Sequence, residues 1–279
     1  MSHWRRIVID SRYRTADSLS NADFRVALPY PVQVPAGSRM YADAVSLSHS
    51  WGNIEVDKND RLYVEEIVVG VSAPHLRTIQ LAHGNYNTST LRTELQSKLN
   101  AGTNLAGTYT VSLAHGKFLI SNSSDQATQG KAKIYTQLDR VYLANVVPGF
   151  PGAFANEAIG HVQNSGSDPY IYNGNQLFGT FVDLQLHKQI FIHAPGLGES
   201  SMMTMRGNTD VIRRVLLSNS TSGDVINDVL QTGLAPITFS SDTVLSVLSF
   251  QIKGYEGDLV NMGGHQISWE FIIERPGAE

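Results

Sequence analysis

The residues able to do chemistry are scattered along the chain. There are nine histidines and no cysteine. A thiolate nucleophile, a disulfide and a cysteine-ligated zinc site are therefore excluded. His187 and His193 share the parity of one strand face, but six residues of strand span roughly 20 Å, too far to share a metal. His161 and His265 stand apart from them in the sequence. Asp57 and Asp60 flank Lys58-Asn59; a calcium loop needs more oxygen ligands in a set order, so this segment reads as a hairpin turn. Glu65 and Glu66 fall on opposite faces of a strand and cannot act as a paired acid and base. Asp210 with Arg213 and Arg214 reads as a solvated polar patch, and Arg206-Gly207-Asn208 as a turn. No G-x-S-x-G elbow, P-loop, H-E-x-x-H or dinucleotide fingerprint occurs. No catalytic, cofactor-binding or metal-binding residue is assigned, no cofactor is expected, and the chain is not read as an enzyme. Aromatic residues remain: Tyr170 and Tyr172, in a stretch rich in Gly, Asn and Ser, suit a subunit contact. With Asn173 and Asn175 they could instead line a sugar site. That makes a carbohydrate-binding β-sandwich, a lectin or attachment spike, the alternative function.

Composition narrows the class. The chain has 279 residues, 42% of them hydrophobic, with 21 Lys+Arg against 25 Asp+Glu and a net charge of −4. That apolar content excludes a disordered chain. The acidic balance argues against nucleic acid as a partner, which calls for a basic excess. A chain of this length folds as one large domain or two small ones and buries roughly 70–75% of its unfolded surface. The apolar run Ile7–Ile9 is too short for a signal-peptide core, and no window is long enough to span a membrane. A soluble chain made in a cytoplasm-like compartment, without a signal peptide, is expected. The acceptor triplets at Asn87, Asn122 and Asn219 then read as chance.

Period-2 alternation dominates and must position whatever works. Val182, Leu184, Leu186, Ile190 and Ile192 fall on one face of a strand predicted over 182–192. Leu248, Phe250 and Ile252 alternate with polar neighbours, as do Ile267, Trp269, Phe271 and Ile273. Ile272 breaks that parity, which predicts cover on both faces near the end. Phe24, Val26 and Leu28 form another face; Tyr41, Val45, Leu47 and Trp51 form one that also holds Asp43 and His49. These are half-buried antiparallel strands separated by Pro and Gly turns, the pattern of a sandwich or barrel. One stretch differs: Asn87 or Thr88 caps a helix with Leu91, Leu95 and Leu99 at four-residue spacing and a Glu94–Lys98 pair. Strands over 108–113 and 117–121 follow, turning at His115-Gly116, then a second short helix over 138–147 ended by Pro148-Gly149. The expected plan is all-β: an extended N-terminal arm at 1–20, a sandwich domain from 21–78 and 151–279, and an inserted α+β domain at 79–150. Residues 149–179 read as a long surface loop.

A resemblance follows from the order of several short motifs. Ile9-Asp10-Ser11-Arg12-x-Arg14-Thr15 precedes Asn21-x-Asp23-Phe24-x-Val26-x-Leu28-Pro29. Gly84-Asn85-Tyr86, Leu99-Asn100 and Leu143-Ala144-x-x-x-Pro148-Gly149-Phe150 mark the insertion. Ile190-Phe191-Ile192-His193, Arg206-Gly207, 212–216, Phe250-Gln251-Ile252-Lys253-x-x-x-Gly257 and Gly264-x-x-Ile267-Ser268-Trp269-x-Phe271 complete the series. Together these resemble penton-type minor capsid proteins of eukaryotic double-stranded DNA viruses, among them virophages, polinton-like viruses and some larger icosahedral viruses. The resemblance implies a jelly-roll β-sandwich in the virion, built as a homopentamer at an icosahedral five-fold vertex. Its implied partners are copies of itself, the major capsid protein, and other minor capsid or fibre proteins. It implies no enzymatic activity. Arg12 and Arg14 of the arm are expected to reach a neighbouring capsomer.

Overall fold

The computed structural model describes residues 4–56, 59–135, 162–164, 170–181, 184–198, 202, 207–217, 223–229 and 236–276. The chain divides into two compact units, Met1–Trp51 with His187–Glu279, and Gly52–Leu186, so the second is an insertion in the first. The first unit opens with β1 (Trp4–Asp10), one 3-10 turn (Ser11–Tyr13), β2 (Asp23–Val34) and β3 (Arg39–Ser48). The insertion supplies β4 (Arg61–Val68), β5 (His75–Gln80), α1 (Thr88–Asn100), β6 (Tyr109–Ala114), β7 (Lys117–Asn122), β8 (Gly130–Ile134), β9 (Val162–Asn164) and β10 (Leu177–Phe181). The first unit resumes with β11 (Gln189–His193), β12 (Val211–Leu216), β13 (Val225–Asp228), β14 (Ile237–Thr238), β15 (Thr243–Gly254) and β16 (Ile267–Glu274).

One sheet of the first unit runs β1-β16-β3-β13, with β14 also on β3; the other runs β12-β11-β15-β2. Every pairing in them is antiparallel. With the two-residue β14 set aside, the strands numbered along the chain give sheet orders 1-8-3-6 and 5-4-7-2. That is the order of a jelly roll. The alternating residues of β15 and β16 meet inside it, where Phe250 lies edge-on to Trp269 at 4.8 Å between ring centroids. Phe24 and Phe271 complete the aromatic cluster, and burial of such rings supplies much of the core energy. Ile272 is buried on the opposite face, as its parity predicts.

β3 does not keep one parity. Ala44 has a φ of 42°, and the pairing with β16 shifts between Ser268↔Ser46 and Glu270↔Asp43. Two residues of β3 thus oppose one of β16, a β-bulge. Met40 and Ala42 face the core before it and Val45 and Leu47 after it. Tyr41 therefore faces away from the core, and the predicted grouping of Tyr41 with Val45 and Leu47 is corrected by one inserted residue.

The N-terminal segment is a strand and not a free arm. Trp4 to Asp10 pair with Glu274 to Ser268 along β16. Ile9 is fully buried and Ile7 packs against the same core, so two inward-facing apolar residues are enough to dock the segment once β16 offers its edge.

The insertion has its own core, in which Leu91, Leu95 and Leu99 of α1 meet Leu62, Val64, Phe118 and Ile120. Two sheets surround it, β5-β4-β8 and β6-β7-β10-β9. Asn87 caps α1 by accepting the N–H of Thr90 at 2.9 Å. The turn between β6 and β7 has positive φ at both His115 and Gly116, 51° and 73°, the geometry of a tight hairpin. Its compact extent is 52–186, wider than the predicted 79–150, because β4 pairs with β5 and β8 and not with the jelly roll. The strand predicted over 182–192 is likewise two pieces of chain: Leu184 packs in the insertion core and Ile190 in the jelly-roll core. β9 and β10 lie in the predicted 149–179 loop and just beyond it; such short, Gly- and Asn-flanked strands carry little periodicity. The second helix predicted at 138–147 falls outside the described residues, as do Asp57, His161, Arg206 and Asn219.

Candidate functional site

Among the described residues, a dense polar cluster lies inside the insertion. Leu62 and Val64 of β4 face the core, and Glu66, two residues on, points the same way and is fully buried. Its carboxylate accepts from the Arg77 guanidinium, Thr103 Oγ1 at 2.8 Å, the Asn104 N–H at 2.8 Å and the Tyr109 hydroxyl at 3.0 Å. Burial first, and the Glu66 carboxylate second, push the Tyr109 hydroxyl well above the usual phenol range. Arg77 also donates to the carbonyls of Leu99 at 3.1 Å and Ala101 at 2.6 Å, groups that a helix end leaves without intrahelical partners. The cluster is saturated with donors and ties β4, β5, α1 and β6 together. Its chemistry is that of a staple.

In the jelly roll the expected patch at 210–214 is broken up. Asp210 meets His193, Nδ1 to Oδ1 at 2.8 Å, and His193 is buried. Arg213 is also buried and donates through Nε and Nη2 to Asp228 at 3.0 and 2.6 Å. Arg214 alone of the three is exposed. Arg213 is drawn inside because it stands opposite the core residue Ile192 on β11, where Asp228 neutralises it. Among the described residues, no three His, Asp or Glu side chains converge so as to hold a metal ion.

The predicted contact residues occupy two places. Asp10 caps the 3-10 turn by accepting the Arg12 N–H at 2.9 Å and pairs with the Arg12 guanidinium. That side-chain hydrogen bond holds the Asp10 carboxyl below its usual range. The Arg12 side chain stays 63% exposed. Arg14 donates to the Ser11 carbonyl at 3.3 Å and bridges to Val26 of β2. Tyr170 and Tyr172 belong to the insertion. Lys131 Nζ lies 3.9 Å from the Tyr170 ring centroid, and Tyr172 bridges to Asn175 around a tight Asn173-Gly174 turn. The arginines thus lie on one short segment of the jelly-roll unit and the tyrosines on one short segment of the insertion.

Rims of the jelly-roll sheets are further surfaces able to meet a partner. The β2 rim is blocked twice. Its first part is covered by the 14–18 segment, where Thr15 N–H donates to the Arg25 carbonyl at 2.8 Å. Farther on, Pro29 and Pro31 sit where β2 bulges from β15 between Ala27 and Val32, and proline offers no amide donor. The β1 and β13 rims carry no proline. Sequence reasoning could not find them, because which strand is a rim depends on long-range pairing.

Comparison with known proteins bears on the fold. No protein-family model matches the sequence, and no curated protein matches it. Among solved structures, the chain is similar to the penton protein of mavirus, at 11% identity and a TM-score of 0.55, over 99% of this chain and 100% of that one. It is also similar to a chain of the Sputnik virophage, at 12% identity and a TM-score of 0.49, over 98% of each. With its jelly-roll strand order and its insertion between the third and fourth strands, the chain has the fold of the mavirus penton protein.

Proposed function

We propose that the chain is a structural virion protein, the penton that forms a homopentamer at icosahedral five-fold vertices and touches major capsid capsomers. One observation carries this reading: the likeness to the mavirus penton protein spans essentially the whole of both chains, insertion included. The Glu66 cluster supports an architectural role over a catalytic one, since its carboxylate is saturated by the Arg77 guanidinium and three further donors. In this reading the exposed Arg12 and its neighbour Arg14 face an adjoining capsomer, and Tyr170 and Tyr172 belong to a subunit or vertex contact. A sugar platform is less favoured, because Lys131 already lies over the ring of Tyr170. Light scattering on the purified protein tests the proposal. A species of five times 30.5 kDa is expected, and a stable monomer at every concentration would sink it.

A further inference from the structure

We infer that the pentamer closes by strand pairing, β1 of one copy adding to β13 of the next, so that one sheet of the jelly roll runs on from subunit to subunit. The inference rests on the pentameric reading above. Its first support is direction. The order β1-β16-β3-β13 alternates antiparallel at every step. The two rims of this sheet therefore run in opposite senses. A copy related by rotation about an axis along the strands keeps its strand direction, so its β1 meets β13 antiparallel and continues the ladder. A closed ring needs such a contact between two different edges.

The second support is availability. Among the described residues, no backbone hydrogen bond from Trp4–Asp10 or Val225–Asp228 reaches beyond the sheet. Unpaired rims invite another strand. The rim of the other sheet at β2 is blocked, as described above, so only this sheet can be extended on that flank.

The third support is chemical complementarity in one register. Antiparallel pairing that sets Val8 opposite Val225 also sets Ile7 opposite Ile226, Arg6 opposite Asn227 and Arg5 opposite Asp228. Val8 and Val225 are large apolar side chains 67% and 60% exposed, and both point away from the core. Ile7 and Ile226 are both half-buried residues packed at the margin of the same core, so each covers the other's open side. Arg5 is an exposed cation, and Asp228 is an anion still partly open beside Arg213. Apolar and opposite-charge pairs directly across two strands are the stabilising ones. A slip by one residue would oppose core-facing to outward-facing side chains.

The absence of cysteine makes a clean test. The full chain carrying V8C and V225C together is oxidised while dilute and run without reductant, beside V8C alone and V225C alone, with light scattering on each. The inference expects a covalent ladder ending at five subunits for the double variant and no covalent oligomer for either single one. Reduction collapses the ladder to monomer. If the double variant is pentameric by light scattering but yields no ladder, the edge pairing is overturned and the pentamer stands. A covalent dimer from V8C alone shows a two-fold contact through β1 and overturns the pairing. A ladder that runs past five keeps the pairing and overturns the five-fold ring. A chain that is monomeric and never cross-links overturns both.

Discussion

Arg77 joins two parts of the insertion, the buried Glu66 and the end of α1. It neutralises the buried Glu66 and accounts for carbonyls at the end of α1. Removing one member of a buried ion pair leaves the other uncompensated, at a cost of about 3–5 kcal/mol. Arg77→Ala should therefore lose stability in that range in urea unfolding, and a loss below about 1 kcal/mol would show that Glu66 finds another partner. Half of this cluster is legible in the sequence. The opposite faces of Glu65 and Glu66 follow from period 2, and Glu66 does point inward alone. Its partner is not legible. Arg77 stands opposite Val64, diagonal to Glu66, only because β4 and β5 pair in one register. The same holds for Arg213 and Asp228, which look like surface charges until two sheets bring them together.

At the level of elements, local signals carried far and long-range ones did not. The leucine spacing and Asn87 cap of α1 and the hairpin at His115-Gly116 are set by neighbours within a few residues, and they appear where expected. The bulge at Ala44, the rim position of β2 and the split of 182–192 between two cores depend on partners far along the chain. The N-terminal strand is the case with the sharpest consequence. Of the residues 1–20 read as an arm for want of apolar content, Trp4–Asp10 are taken up along their whole length by β16. Deleting residues 1–10 should remove Ile9 from the core, bare the edge of β16 and lower the thermal midpoint of the jelly roll. An arm would leave that midpoint unchanged, so calorimetry of the truncated chain separates the two.

The whole molecule is a jelly roll interrupted once. The interruption leaves and returns at neighbouring points: the rings of Trp51 and His187, the flanking residues, are 6.1 Å apart at 70°. Replacing residues 52–186 by a short Gly-Ser linker should therefore yield a chain that still folds cooperatively, checked by a two-state thermal transition and by retention of the tertiary signal of Trp51 and Trp269. A molten product would mean that the insertion is needed to hold the sandwich. The jelly-roll class follows from the motif order that carries the resemblance, and the inserted module is read from the helix and strand pattern over 79–150; the compact unit of 52–186 is wider, since β4 and β5 look like further sandwich strands.

The two prolines of β2 reach further than their own bulge. Together with the 14–18 segment over the first part of that rim, they bar one lamina of the sandwich from joining a neighbour at that flank, so the seam proposed above is one-sided. Such a seam bends like a spine stitched along a single cover, with the unstitched lamina acting as a wedge. In the ring proposed above, that wedge favours a closed collar over a flat raft.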